Sequence, residues 1–257
     1  MTRRKAWDDL AQRLYAKGVD VFNAADLPET EEGARDPKVV ALTLLARSLS
    51  AMQAADLLLE NNFVVEARTV TRTVLENLFY SAALTKKGAT FVRDLELDDI
   101  TIRRKRAKGL LDFLEKQGDQ AERHAQLRAF RDQLWETHGK TPEINMLNAA
   151  LDGGVADAFI AYRELSTDAA HPSAASLSRH VIGHDDSGGP VFTVSAPPVL
   201  DPTEDVDTLE LLCMGMLGVI VAVNEILGGV PAGERLDGLG DDYLALSAAN
   251  KTARSSS

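Results

Sequence analysis

The sequence predicts an all-α fold, a single multi-helix bundle with one β-hairpin insertion at about 179–195. Three observations predict it. Apolar residues recur at spacings of three and four through most of the 257 residues. The breaks between these runs carry Gly, Pro, Asn and Asp, the residues that stop helices. The twofold alternation of a strand occurs once, where 179–184 and 190–195 flank Asp185-Asp186-Ser187-Gly188-Gly189.

Each element has its own signal. Residues 3–25 form an amphipathic helix with Trp7, Leu10, Leu14, Val21 and Phe22 on its apolar side. An acidic loop follows at 27–36. Pro37 suits the first turn of a second helix, with Asp36 as its cap. That helix turns Leu42, Leu45, Leu49, Met52 and Leu59 inward and breaks at Asn61-Asn62. A third spans about 63–87 and stops at Gly88. A fourth covers about 90–117, with an interruption expected near Asp98-Asp99. A fifth runs to His138 and ends at Gly139. Pro142 opens a short sixth. Gly153-Gly154 separates it from a seventh, which carries Val155, Phe159, Tyr162, Ser166 and Ala169 on one side and is closed by Pro172.

After the hairpin, Pro197, Pro198 and Pro202 stiffen the connection to a long apolar helix at about 203–227, ended by Gly228-Gly229. The last helical piece is 241–249. With no internal repeat and no long linker, residues 1–249 read as one helical domain and 250–257 as a small, polar, disordered tail.

Composition narrows the function classes. A formal net charge of −11 with 45% hydrophobic residues fits a soluble globular chain and excludes general coating of nucleic acid, while leaving room for a local basic patch. Cys213 is the single cysteine, so neither a disulfide framework nor a cysteine-based zinc site can form within one chain. That suits a cytoplasmic protein, and the charged stretch 1–9 lacks the apolar core of a signal peptide. The most apolar window, 209–227, holds Glu210, Asn224 and Glu225, and so reads as a buried helix rather than a membrane span. Its apolar content exceeds what one bundle is expected to bury, which predicts a homo-oligomer and no membrane partner.

Two helices carry the candidate chemistry. In the third, Arg68, Arg72, Glu76 and Tyr80 recur every four residues, and Arg72 and Glu76 fall inside the apolar arc. Charges in such a position must pair, and a spacing of four lets these two pair with each other. The result is either a structural ion pair or an anchored guanidinium facing an anionic ligand. In the seventh, Tyr162 and Ser166 place hydroxyls where apolar side chains point, and a buried hydroxyl without a partner costs roughly 1–3 kcal/mol. Pro172 disfavours helical geometry at His171, which puts His171 at the helix end, where the dipole favours an imidazolium. The constellation is Arg68, Arg72, Glu76, Tyr162, Ser166 and His171.

The run Ala67-Arg68-x3-Arg72-x3-Glu76, followed by Tyr162-Arg163-x-Leu165-Ser166-x4-His171-Pro172-Ser173, resembles an uncharacterised family of bacterial helical proteins classed as a domain of unknown function. That resemblance covers roughly residues 40–230 and implies a helical fold with a polar pocket. The helical layout also looks like the HEPN superfamily of ribonuclease toxins and abortive-infection proteins, in which a closely spaced Arg and His act on RNA. Here Arg163 and His171 have seven residues between them, and Pro172 intervenes at the helix end. A metal-independent ribonuclease built this way would use His171 to move a proton on the ribose 2′-hydroxyl or the leaving oxygen. Arg72 or Arg163 would stabilise charge on the phosphate, and Ser166 and Tyr162 would orient the groups. Nothing around Ser166 matches a nucleophile elbow, which argues against a covalent serine.

Other features are plainer. Nine Lys/Arg against four Asp/Glu give residues 101–131 a local +5, leaving −16 for the rest. Arg104 and Lys108, from the basic run 103–108, are the candidates for contact with a phosphate backbone. The same stretch also reads as a solvated face with Lys108–Asp112–Lys116 pairs, Leu110, Leu111 and Leu114 facing inward. His180 and His184 share one side of a strand next to Asp185 and Asp186, enough for a divalent ion only if a third ligand comes from elsewhere. His124 and His138 read as exposed helix histidines, and Trp7 and Trp135 as core or interface anchors. No phosphate-binding glycine loop, dinucleotide fingerprint or zinc-protease His-Glu-x-x-His occurs, so no cofactor is expected. The function classes are therefore a cytoplasmic defence-type protein acting on RNA or another anion, a non-catalytic binding or oligomerisation module, and a small-molecule sensor using the same pocket.

Overall fold

The computed structural model describes residues 2–27, 29–117, 121–169, 173–186, 189–233 and 236–254. Among these the chain is all-α with a single two-stranded sheet. The helices are α1 (Arg3–Asn23), α2 (Pro37–Glu60), α3 (Val64–Lys87), α4 (Ala89–Gln117), α5 (Ala121–His138), α6 (Met146–Asp152), α7 (Ala158–Ala169), α8 (Ala174–Ser178), α9 (Glu204–Ile226) and α10 (Leu236–Arg254). The strands β1 (Val181–Asp186) and β2 (Gly189–Val194) pair antiparallel in the register Val181↔Val194 and His184↔Val191.

The bundle is organised around α9. Leu209, Leu212, Cys213, Met216, Val219, Ile220 and Val223 are fully buried there, against α1, α2 and α3. The long apolar helix is thus covered by the chain's own helices, which removes the reason for expecting a second copy on it. Both α2 and α9 are long and apolar enough to cross a membrane, but 61% of the most apolar window of α9 is buried inside the bundle. Its neighbour α3 is the second hub, packing on α2, α6, α7 and α9. Together they centre one core that takes in Trp7, Leu45, Leu75, Phe79 and Leu165.

Many boundaries have the cause expected. Asp36 caps α2 by accepting from Lys38 N at 2.8 Å, with Pro37 in the first turn. Asn62, in the left-handed region at φ 62°, separates α2 from α3, and Gly88 at φ 54° separates α3 from α4. Four features differ. Helix α4 runs unbroken through Asp98, whose buried carboxylate accepts from Ile144 N at 2.9 Å and so holds the loop after α5 instead of ending the helix. Helix α6 starts at Met146, capped by Asn145, rather than at Pro142. An extra short helix, α8, forms through a Ser173–Ser176 capping box. Helix α10 starts earlier than expected and continues past 249. Asn250 is fully buried, and its amide and the Ser247 hydroxyl (2.6 Å) both donate to Glu210 of α9.

The turn between α6 and α7 packs hard on α3. A Cβ on Gly153 would lie 2.6 Å from Ala82 Cβ and 2.9 Å from the backbone of Ala82 and Ala83. Backbone cannot swing aside as a side chain can. Gly153→Ala is therefore expected to lower stability by about 1–3 kcal/mol in urea melts. An unchanged midpoint would mean that the turn moves freely on α3.

Candidate functional site

The site is the seam between α3 and α7. Tyr162 and Leu165 are buried on the inner face of α7, and the Tyr162 ring meets fully buried Phe79 edge-on at 5.6 Å and stacks on Phe159 at 5.5 Å. This aromatic platform fixes where the Tyr162 hydroxyl points, one turn from Ser166 on the same face.

Arg72 crosses the seam to both. Its Nε donates to Ser166 Oγ at 2.9 Å and its Nη2 to the Tyr162 hydroxyl at 2.7 Å, while Nη2 also lies 2.9 Å from Glu76 Oε1. Tyr162 in turn donates to Glu76 Oε1 at 3.3 Å, and Ser166 donates to its own helix at Tyr162 O, 2.7 Å away. The guanidinium carbon sits 4.9 Å from the Tyr162 ring centre. Glu76, Arg72 and Tyr162 thus form a closed triangle, and both hydroxyls have the partners their burial demanded. The Arg72 side chain is 26% exposed and that of Glu76 is 23% exposed, so the triangle borders solvent. Among the described residues Arg72 Nη1 meets no acceptor, which leaves two N–H donors for something else. Nearby, burial, with the Asp98 and Glu76 carboxylates adding to it, pushes the Tyr80 phenol up to about 12, so it stays protonated.

Arg68, one turn earlier on α3, has a different fate. Its Nε lies 3.3 Å from Glu204 Oε1 and its Nη2 3.4 Å from Glu164 Oε1. Arg179 closes on the same Glu204 with two hydrogen bonds, of 2.9 and 2.6 Å. Glu204 sits in the first turn of α9, where the helix dipole favours a carboxylate. The Arg68–Glu204–Arg179 group ties α3, the residue after α8 and the start of α9 together. Arg68 is thus engaged by carboxylates of α7 and α9.

The other expected residues scatter. Arg163 and Lys108 are exposed. Arg104 stacks on Trp135 at 4.9 Å and donates to Gly139 O and Thr141 Oγ1, bracing the base of the α4–α5 hairpin. His171 lies outside the described residues, between the end of α7 at Ala169 and the start of α8 at Ala174. His180 Nδ1 pairs with Ser195 O at 3.0 Å and belongs to the base of the β-hairpin. Among the described residues no group of three or more His, Cys, Asp or Glu is arranged to hold a metal ion. Of the two tryptophans, Trp7 is a core residue and Trp135 is exposed.

Reading the sequence alone misses Glu204, Arg179 and Glu164. Glu204 is one of three acids in the first turn of α9, and such acids ordinarily serve the helix terminus without a partner.

No curated protein and no solved structure matches the chain. A family model described as a family of unknown function (DUF5677) matches residues 38–190, more than half of the chain and a span that contains Arg72, Glu76, Tyr162 and Ser166, and the chain belongs to that family.

Proposed function

We propose that the α3–α7 seam is an anion-reading site whose reader is Arg72, with phosphate as the ligand class and RNA as the polymer that would present it. The observation that carries this reading is the state of the Arg72 guanidinium. Three of its donors are held by Ser166, Tyr162 and Glu76 at 2.7–2.9 Å, and Nη1 remains at a solvent-bordering position. A guanidinium fixed on one edge and open on the other is pre-organised for a second, bidentate partner. Glu76 balances its charge, so orientation rather than net attraction would set the affinity. In the catalytic form of this reading, His171 supplies proton transfer to a phosphodiester held by Arg72, which makes the chain a defence-type, cytoplasmic, metal-independent ribonuclease.

The second reading is a non-catalytic helical module in which the same residues are struts. Its support is that Ser166, Tyr162 and Glu76 already engage three of the five Arg72 donors, next to the buried Arg68–Glu204 pair. Titration with inorganic phosphate and with single-stranded RNA separates the two. On the first reading, Arg72→Ala weakens binding of both about tenfold or more, a loss of ~1.4 kcal/mol or more. His171→Ala then abolishes RNA cleavage while the melting temperature holds. If wild type and Arg72→Ala bind alike and differ only in stability, the strut reading stands.

A further inference from the structure

Helices α1 and α2 both pack on α9, and the three leave a cavity of about 190 Å³ between them. Its floor is apolar: Ala11 of α1, Met52 of α2 and Leu212 of α9 are all buried. Half-buried Tyr15 and exposed Gln12 and Gln53 stand around that floor. The remaining lining residue is Asp56 of α2, which is half-buried and brings the one charge among them. No residue of α3 or α7 lines the cavity, so it is separate from the seam, and the inference below does not rest on the function proposed for that seam.

Among the described residues the Asp56 carboxylate accepts no hydrogen bond and forms no ion pair. The cation whose field reaches it is Arg4, and Arg4 is bonded to two other carboxylates, Asp8 and Asp205, both at 2.9 Å. Burial, with the Glu60 and Asp8 carboxylates adding to it, outweighs Arg4 and holds the Asp56 carboxyl above the usual carboxylate range. A half-buried carboxylate without a partner does not support the fold, but it can receive a cation from outside. A metal ion is a poor match. It needs several oxygen ligands, and among the described residues no group of three or more His, Cys, Asp or Glu is arranged to supply them. An ammonium on a hydrocarbon body suits every wall. The carboxylate meets the charge, an aromatic ring stands beside it, the two amide carbonyls can accept its remaining N–H groups, and the floor takes the hydrocarbon. The volume lies below the ~300 Å³ at which pockets for drug-sized ligands begin, which limits the occupant to a small one. We infer that the α1–α2–α9 cavity is a binding site for a small organic ammonium, with Asp56 as its counter-ion and Met52 and Leu212 beneath its hydrocarbon part.

The test uses the full chain and cyclohexylammonium as the probe, with cyclohexanol as its neutral match and cyclohexanecarboxylate as its anionic one. Titration followed by nuclear magnetic resonance is expected to show the ammonium binding about tenfold or more tighter than the alcohol, and the carboxylate not at all. Asp56→Asn keeps the shape of the wall and removes its charge. It is expected to weaken the ammonium about tenfold or more while the alcohol binds as before. Its melting temperature should hold or rise, because the change relieves repulsion with Asp8 and Glu60. Gln53→Trp adds bulk at the rim from an exposed position. It is expected to abolish binding of both ammonium and alcohol with the circular dichroism spectrum unchanged. Equal affinity for ammonium and alcohol would overturn the inference and leave only an apolar hollow. So would no binding of the ammonium, or an Asp56→Asn variant that binds it like wild type. A clear fall in the melting temperature of Asp56→Asn would make Asp56 a structural residue, which also overturns it. A lysine-bearing tripeptide that binds about tenfold or more tighter than the free amine would do the same, by giving the carboxylate to a side chain of a partner protein.

Discussion

Glu204→Ala is expected to lower the unfolding free energy by about 3–5 kcal/mol, the range for removing one member of a buried, hydrogen-bonded ion group. The Glu204 side chain is 8% exposed and that of Arg68 is 5% exposed, so water cannot replace the missing carboxylate at Arg68 without opening the junction of α3 and α9. Glu164, 3.4 Å from Arg68, is a side chain 67% exposed and therefore well screened. Arg179 loses both arms of its fork at once. In a chain of this size each kcal/mol moves the melting temperature by about 2–4 °C, which sets the fall at about 10 °C. Arg68→Met should cost less, because Glu204 keeps Arg179 and its place in the first turn of α9, and because the methionine stem refills the space. Urea and thermal melts of both variants measure the difference. A loss of under about 1 kcal/mol for Glu204→Ala would mean that the group behaves as a surface pair.

The same residues mark how far the sequence could be read. Arg72 and Glu76 were legible as a pair because a spacing of four and a place in the apolar arc are both local properties. The need of Tyr162 and Ser166 for partners was legible for the same reason. The identity of that partner was not: Arg72 meets them only because Phe79 and Leu165 dock α7 on α3, a tertiary event. Arg68 shows the limit most clearly. The structure buries it against Glu204, in the first turn of a helix far along the chain, and no local spacing points there.

Polar residues misled where they are consumed inside the fold. Asp98 looked like a helix breaker, but a backbone N–H from Ile144 satisfies its carboxylate and the helix continues. Arg104 looked like part of a cationic surface and instead folds back onto Trp135 and the 139–141 loop. The small polar residues from 250 resembled a loose tail, yet Asn250 closes on the buried Glu210. The helical class survived these errors because it rests on the period of the apolar residues, which no single polar contact can alter.

Phe79→Ala should be the costliest single change at the site, at about 3–5 kcal/mol, because Phe79 is fully buried and its truncation leaves a cavity where α3, α7 and the core meet. The consequence reaches the polar cluster by contact. Phe79 meets Tyr162 edge-on at 5.6 Å and Phe159 at 6.3 Å, and with that wall gone the Tyr162 ring can tilt into the space. A tilt takes the Tyr162 hydroxyl off Arg72 Nη2 and Glu76 together, since one oxygen serves both. Phe79→Leu keeps most of the volume and should cost no more than about 1.5 kcal/mol while leaving the triangle closed. A double-mutant cycle with Tyr162→Phe measures the link. If Phe79 positions the hydroxyl, then Tyr162→Phe loses its own cost, about 1 kcal/mol, in the Phe79→Ala background but not in the Phe79→Leu background, and the cycle returns a coupling of about that size. Additivity in both backgrounds would show that the cluster holds Tyr162 without help from the ring beneath it, and would place the rigidity of the site in the Arg72–Glu76 pair alone.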